Sequence, residues 1–221
     1  MQKLTLVIGN KNYSSWSLRP WLLLKQFEIP FDEIRIPLYR ADSTQALQKY
    51  SPSGLVPALI HGDITVWDSL AICEYVQELH PSLAMWPRDQ TTRAIARSAA
   101  AEMHAGFTAV RSHMPMNCKK SFPGKGLNQD TAAEIGRITR LWRDCRHQYG
   151  KAGTMLFGDF SIADAMFAPV ALRFTTYQVA LDEVCQAYVS ALLALPAIQA
   201  WIAEAKQETE ALPDFEPYEH A

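Results

Sequence analysis

Gly54-Leu55-Val56-Pro57-Ala58-Leu59-Ile60-His61-Gly62-Asp63-Ile64-Thr65-Val66-Trp67-Asp68-Ser69 is the stretch whose reading decides the fold. Two short apolar runs, Val56 to Ile60 and Ile64 to Trp67, flank His61-Gly62-Asp63, a pattern that predicts a β-hairpin. Asp68-Ser69 then opens a helical pattern that runs to His80, with Leu70, Cys73, Val76 and Leu79 on related faces.

Toward the amino terminus, Thr44 to Tyr50 reads as a short helix stopped by Ser51-Pro52-Ser53-Gly54. Phe31 to Leu38 alternates as a strand, and Pro37 marks an edge or the strand end. From Ser15 to Glu28 the period is helical, with Leu18, Trp21, Leu22 and Lys25 three and four residues apart. Ser14, Ser15 and Ser17 are natural caps, and Pro20 is tolerated if it falls in the first turn. Leu4 to Ile8 is a buried strand ended by Gly9-Asn10. The order β-α-β-α-β-β-α starts with a parallel pair and closes with an antiparallel hairpin, giving a mixed sheet covered by helices.

After His80 the composition changes. Residues 81–90, with Pro81, Ser82, Pro87, Arg88 and Asp89, read as a linker between a first domain, 1–80, and an all-helical second, 91–221. Its predicted helices are Thr91 to Ser112, Thr131 to Tyr149, Ser161 to Tyr177, Asp182 to Leu193 and Pro196 to Thr209, with an irregular tail from Leu212.

Bulk properties exclude several classes of function. A formal net charge of −2 offers no global field for nucleic acid or an anionic membrane. Lys119, Lys120 and Lys125 cluster beside Pro123, Gly124 and Gly126, as in a solvated loop. Cys73, Cys118, Cys145 and Cys185 form no C-x-x-C pair, and the six histidines lack metal-binding spacing, so no metal is expected. The first apolar run is too short for a signal peptide, and no stretch of about 18 uncharged apolar residues exists. A cytoplasmic location is the expectation.

Four local features resemble the soluble glutathione transferases: Ser14-Ser15-Trp16-Ser17-Leu18-Arg19, Gly54-Leu55-Val56-Pro57-Ala58-Leu59, Asp68-Ser69, and Ser161-Ile162-Ala163-Asp164-Ala165. The resemblance implies an α+β thioredoxin-like amino-terminal domain that holds glutathione, followed by an all-α domain that holds the electrophile. The first feature looks like the serine-type active site, nearest the S-S-C-x-x-R motif of the zeta class. It implies that Ser14 stabilises the glutathione thiolate, with Ser15 and Ser17 as alternates. The chemistry fits, because a thiol of pKa about 8.5 is mostly protonated at neutral pH and only the thiolate attacks well. A hydroxyl at a helix amino terminus favours the anion.

By the same resemblance, Val56-Pro57 is a cis-proline turn whose Val56 backbone pairs with the cysteinyl part of glutathione. Asp68 and Ser69 hold its γ-glutamyl end, and Arg40 lies near its glycine carboxylate. An N-cap is the other role open to Asp68-Ser69. Ser161 to Asp164 has the form of a capping box and is assigned to folding.

The electrophile pocket is expected from Trp16, Met103, His104, Phe107, Arg111, Arg173 and Tyr177. The expected activity is conjugation of glutathione, as co-substrate, to small apolar electrophiles, with hydroperoxides as a side activity. One alternative is cis-trans isomerisation of the maleylacetoacetate type, although Trp16 stands where the zeta motif has cysteine. Another is a non-catalytic binding or assembly protein on the same fold. A homodimer without nucleic-acid or membrane partners is also implied.

Overall fold

The computed structural model describes residues 2–219. Strand β1 (Leu4–Ile8) is central, and its alternation sends successive side chains to opposite faces. Leu4, Leu6 and Ile8 enter the main core, whereas Val7 joins Ile36, Leu47 and Ala58 on the other face. β2 (Phe31–Arg35) pairs with β1 in parallel; β3 (Ala58–His61) and β4 (Ile64–Trp67) add antiparallel, giving the order β2-β1-β3-β4. Gly62, at φ 60°, makes the tight turn between β3 and β4. β2 stops short of Leu38, in keeping with Pro37, which has no N–H to continue a ladder.

Helix α1 (Ser15–Gln26) buries Leu18, Trp21 and Leu22, and packs on both α3 (Ser69–Leu79) and α7 (Ile162–Thr176). One core therefore joins the sheet to the helical part. Pro20 lies in the second turn of α1, one turn later than the sequence suggests, where it removes the N–H that would reach the Trp16 carbonyl. Helix α2 (Ser43–Gln48) covers the other face through Leu47.

The helical part contains α4 (Gln90–Ala105), α5 (Thr108–His113), α6 (Gln129–Gln148), α7, α8 (Glu183–Leu193) and α9 (Pro196–Gln207). The expected continuous helix from Thr91 to Ser112 is broken. Gly106 is extended and Phe107 sits in the left-handed region at φ 57°, so the chain turns between α4 and α5. Glycine has a low helix propensity, and here the break wins over the apolar period that runs through it.

At the start of α7 the capping box expected from Ser161 and Asp164 is present. Asp164 is fully buried and accepts from the N–H groups of Ser161 and Leu156 and from the Ser161 hydroxyl. The tail includes a short 3-10 turn at Pro213–Phe215 and folds back toward the start of α1. Among the described residues all four cysteines are free, no His, Cys, Asp or Glu cluster suits a metal ion, and no single helix is long and apolar enough to cross a membrane.

Candidate active site

Ser14 sits between the end of the Asn10–Tyr13 loop and the first turn of α1. Its N–H donates to the Asn10 carbonyl at 2.8 Å, and its Oγ caps the helix by accepting, at 3.4 Å, from the Ser17 N–H. The Gly9 N–H donates to Ser17 Oγ at 3.1 Å, and Ser17 Oγ lies 2.7 Å from Ser14 Oγ. Ser17 is completely buried, so its proton needs an acceptor, and Ser14 Oγ is the one within reach. That direction leaves the Ser14 proton free for a group in the cleft. Each donor in the chain from Gly9 to Ser17 to Ser14 polarises the next.

The cleft beside Ser14 has a volume of about 920 Å³ and lies between the sheet part and the helical part. Ser15, Trp16, Arg40, Val56, Pro57, Asp68, Ser69, Arg111 and Arg173 share its lining with Ser14. Ser17 lies behind the wall. The Val56–Pro57 bond is cis.

Asp68, at φ 75°, is the N-cap of α3: its Oδ1 accepts from the N–H groups of Leu70 and Ala71 at 2.9 and 3.3 Å. The other oxygen lies 3.1 Å from His104 Nε2. Capping and an open carboxylate edge therefore coexist in one side chain, which keeps substantial exposure. Ser69 is fully buried, and its Oγ accepts from Arg19 at 3.3 Å. Arg40 stands at the exposed rim and interacts loosely with Asp42 at 3.9 Å.

Trp16 holds the cationic wall in place. The Arg19 guanidinium lies 4.3 Å from its ring centre, the Arg111 guanidinium 4.7 Å, and His104 meets it edge-on at 5.3 Å. Two cation–π contacts of about 0.5–2 kcal/mol each give the bulky indole a structural role that a cysteine could not fill. Arg111 also donates to the carbonyls of Met103 and His104, closing the C-terminal end of α4.

Arg173, on α7, donates to the Met114 carbonyl at 2.8 Å and to Ser15 Oγ at 3.4 Å. Burial, then the charges of Arg111 and Arg173, pulls Arg19 down to about 9; burial, then Arg111, pulls Arg173 down to about 10. Both stay charged at neutral pH. His104 is held below its ordinary value chiefly by burial, against the attraction of Asp68.

Four residues expected in the electrophile pocket, Met103, His104, Phe107 and Tyr177, lie outside the lining. Met103 points into the core from α4, and Phe107 is spent in the turn after it. Tyr177 is fully buried beside Phe122 and donates to the Pro115 carbonyl at 3.1 Å. Their helical spacing signals core. His104 sits behind the wall rather than in it, between Trp16 and Asp68. Conversely, Tyr13, Tyr39, Trp67 and Phe215 line the cleft without having been singled out. Tyr13 had its adjacency to Ser14 as a signal; Phe215 had none, because its place depends on where the tail folds.

Residues 13–79 match the family profile of the glutathione S-transferase N-terminal domain. Glutathione S-transferase 1 of Dianthus caryophyllus is 35% identical over 100 residues, which cover 45% of this chain and 44% of that protein, so the match spans less than half the relative's length. A probable maleylacetoacetate isomerase of Caenorhabditis elegans is 23% identical, over 76% of this chain and 79% of its own. The crystal structure of a glutathione transferase homologue from Burkholderia with bound glutathione superposes with a TM-score of 0.71 at 22% identity, covering 93% of this chain and 98% of that one.

Proposed function

We propose that the chain is a member of the glutathione S-transferase superfamily, near its zeta class, as the match of residues 13–79 supports, and that it joins the thiolate of glutathione to small electrophiles. In this reading Val56, Pro57, Asp68 and Ser69 hold the tripeptide, and Arg40 meets its glycine carboxylate at the rim. Ser14 donates a hydrogen bond to the sulfur. The thiol proton leaves to solvent, the sulfur lone pair forms the new C–S bond, and the leaving group departs with the electrons of its own bond. A donor that favours the thiolate acts before and during attack, so its loss lowers the rate more than the affinity. The observation that carries the reading is the Ser14 hydroxyl at the cleft wall, 2.7 Å from the buried Ser17 hydroxyl that accepts from the Gly9 N–H.

The electrophile meets a wall of Trp16, Arg111 and Arg173. Two guanidiniums on the wall favour an electrophile that carries a carboxylate over a purely apolar one. That observation supports the second reading, glutathione-dependent cis-trans isomerisation of a maleyl diacid, the activity for which the nematode relative is named. Isomerisation needs the same thiolate, adding to the double bond and leaving again after rotation. Met103, Phe107 and Tyr177 then support the wall from behind. A homodimer working in the cytoplasm completes the proposal.

The test is retention on immobilised glutathione followed by a panel of chloro-nitro-aromatics, hydroperoxides and maleyl diacids. Conjugation of the aromatic supports the first reading, and turnover of the diacid with glutathione regenerated supports the second. Failure to bind glutathione at all refutes both.

A further inference from the structure

The loop that carries Ser14 is held from the far end of the chain. The consecutive N–H groups of Lys11 and Asn12 both donate to the carboxylate of Glu208, one to each oxygen, at 2.6 and 3.0 Å. The next residue, Tyr13, donates its hydroxyl to Glu216 Oε1 at 2.6 Å. Both carboxylates are nearly sealed from solvent, with 6% and 3% of their side-chain surface exposed.

Each is neutralised locally. Arg35 lies 3.3 Å from Glu208, while Lys120 at 2.8 Å and the Asn117 amide at 3.1 Å complete the partners of Glu216. Sealing two carboxylates is expensive unless every oxygen is occupied, and here every oxygen is. Between the two acids, Phe215 comes within 5.8 Å of the Tyr13 ring and lines the cleft.

We propose that Glu208 and Glu216 are positioning residues for catalysis: they set the Lys11–Tyr13 loop and thereby aim the Ser14 hydroxyl. The assignment rests on the proposed role of Ser14. A carboxylate forked across two successive N–H groups fixes both the position and the tilt of that backbone. Ser14 follows two residues later, with its own N–H tied to Asn10. A shift of about 1 Å in a reacting group can cost on the order of 10²-fold in rate. A tail that only added stability would not need to grip the three residues that precede the nucleophile's partner.

Glu208→Gln keeps the size of the side chain but sets an amide NH2 against one of the two N–H groups. Tyr13→Phe removes a single hydroxyl and serves if the first variant does not fold. Four quantities are measured on each: the thermal midpoint, the glutathione dissociation constant, the pH titration of the bound thiol by its ultraviolet thiolate absorbance, and turnover at neutral pH.

We expect the thiol titration to move upward by about one pH unit and turnover at neutral pH to fall by roughly tenfold. Glutathione affinity should change by less than about threefold, because the tripeptide's main holders are elsewhere. A lower thermal midpoint with the titration of the wild type overturns the proposal. A wild type that binds glutathione without any thiolate titration overturns the role of Ser14, and this assignment with it.

Discussion

Replacing Asp164 by alanine tests how firmly the start of α7, the helix that carries Arg173, is held. Asp164 is fully buried at the start of α7 and accepts from the Leu156 N–H at 3.0 Å, the Ser161 N–H at 2.9 Å and the Ser161 hydroxyl at 2.9 Å. In Asp164→Ala both backbone N–H groups are stranded in the core. At about 1–3 kcal/mol for each stranded group, the variant should lose about 4 kcal/mol at pH 4, where the carboxyl is neutral in the fold and carries no ionisation cost. For a chain of this size that lowers the thermal midpoint by roughly 10 °C.

The wild type also carries a cost. Burial pushes the Asp164 carboxyl up to about 6, despite the donors of Leu156 and Ser161, which pull it down. A folded value above the unfolded one means that this group's contribution is fully present below the unfolded value of 3.8. It is lost as pH rises through 6, a difference of about 3 kcal/mol. Asp164→Asn, which cannot ionise, should flatten that part of the stability curve. Urea unfolding followed by tryptophan fluorescence, at pH values from 4 to 8, measures both effects. A loss below about 1 kcal/mol for Asp164→Ala at pH 4 would refute the reasoning, since two stranded donors in a buried core are not that cheap.

Ser14→Ala should lower kcat for conjugation by about 10²-fold while leaving glutathione affinity within a few-fold; Ser15→Ala as the damaging change instead would move the assignment by one residue. Ser69→Ala removes a buried hydroxyl that Arg19 supports at the start of α3, and glutathione affinity measured by calorimetry should weaken by roughly tenfold. Arg173→Gln should raise KM for a carboxylated electrophile by roughly tenfold or more, with a neutral one nearly unaffected; equal effects on the two would remove the case for an anionic substrate.

Most of the strand and helix order can be read locally. The hairpin around Gly62, the cap at Asp68 and the capping box at Ser161 each depend on residues within a few positions of one another, and local chemistry decides them. The turn at Gly106-Phe107 was hidden because Met103, Phe107 and Val110 keep helical spacing across it, and all three end in the core. The same spacing made Met103 and Phe107 look like a pocket face.

The cationic wall and the tail were illegible for another reason. Arg111 and Arg173 meet at Trp16 and Ser15 only once α5 and α7 are docked on α1. Glu208 finds Lys11 across 197 positions of sequence. No period or turn signal encodes such pairings; they follow from packing.

A crystal structure with bound glutathione bears most directly on the central claim. We expect its sulfur within hydrogen-bonding reach of Ser14 Oγ, its cysteinyl backbone along Val56, and its γ-glutamyl end between Asp68 and Ser69. A sulfur turned away from the start of α1, or a tripeptide held elsewhere in the cleft, would contradict the account.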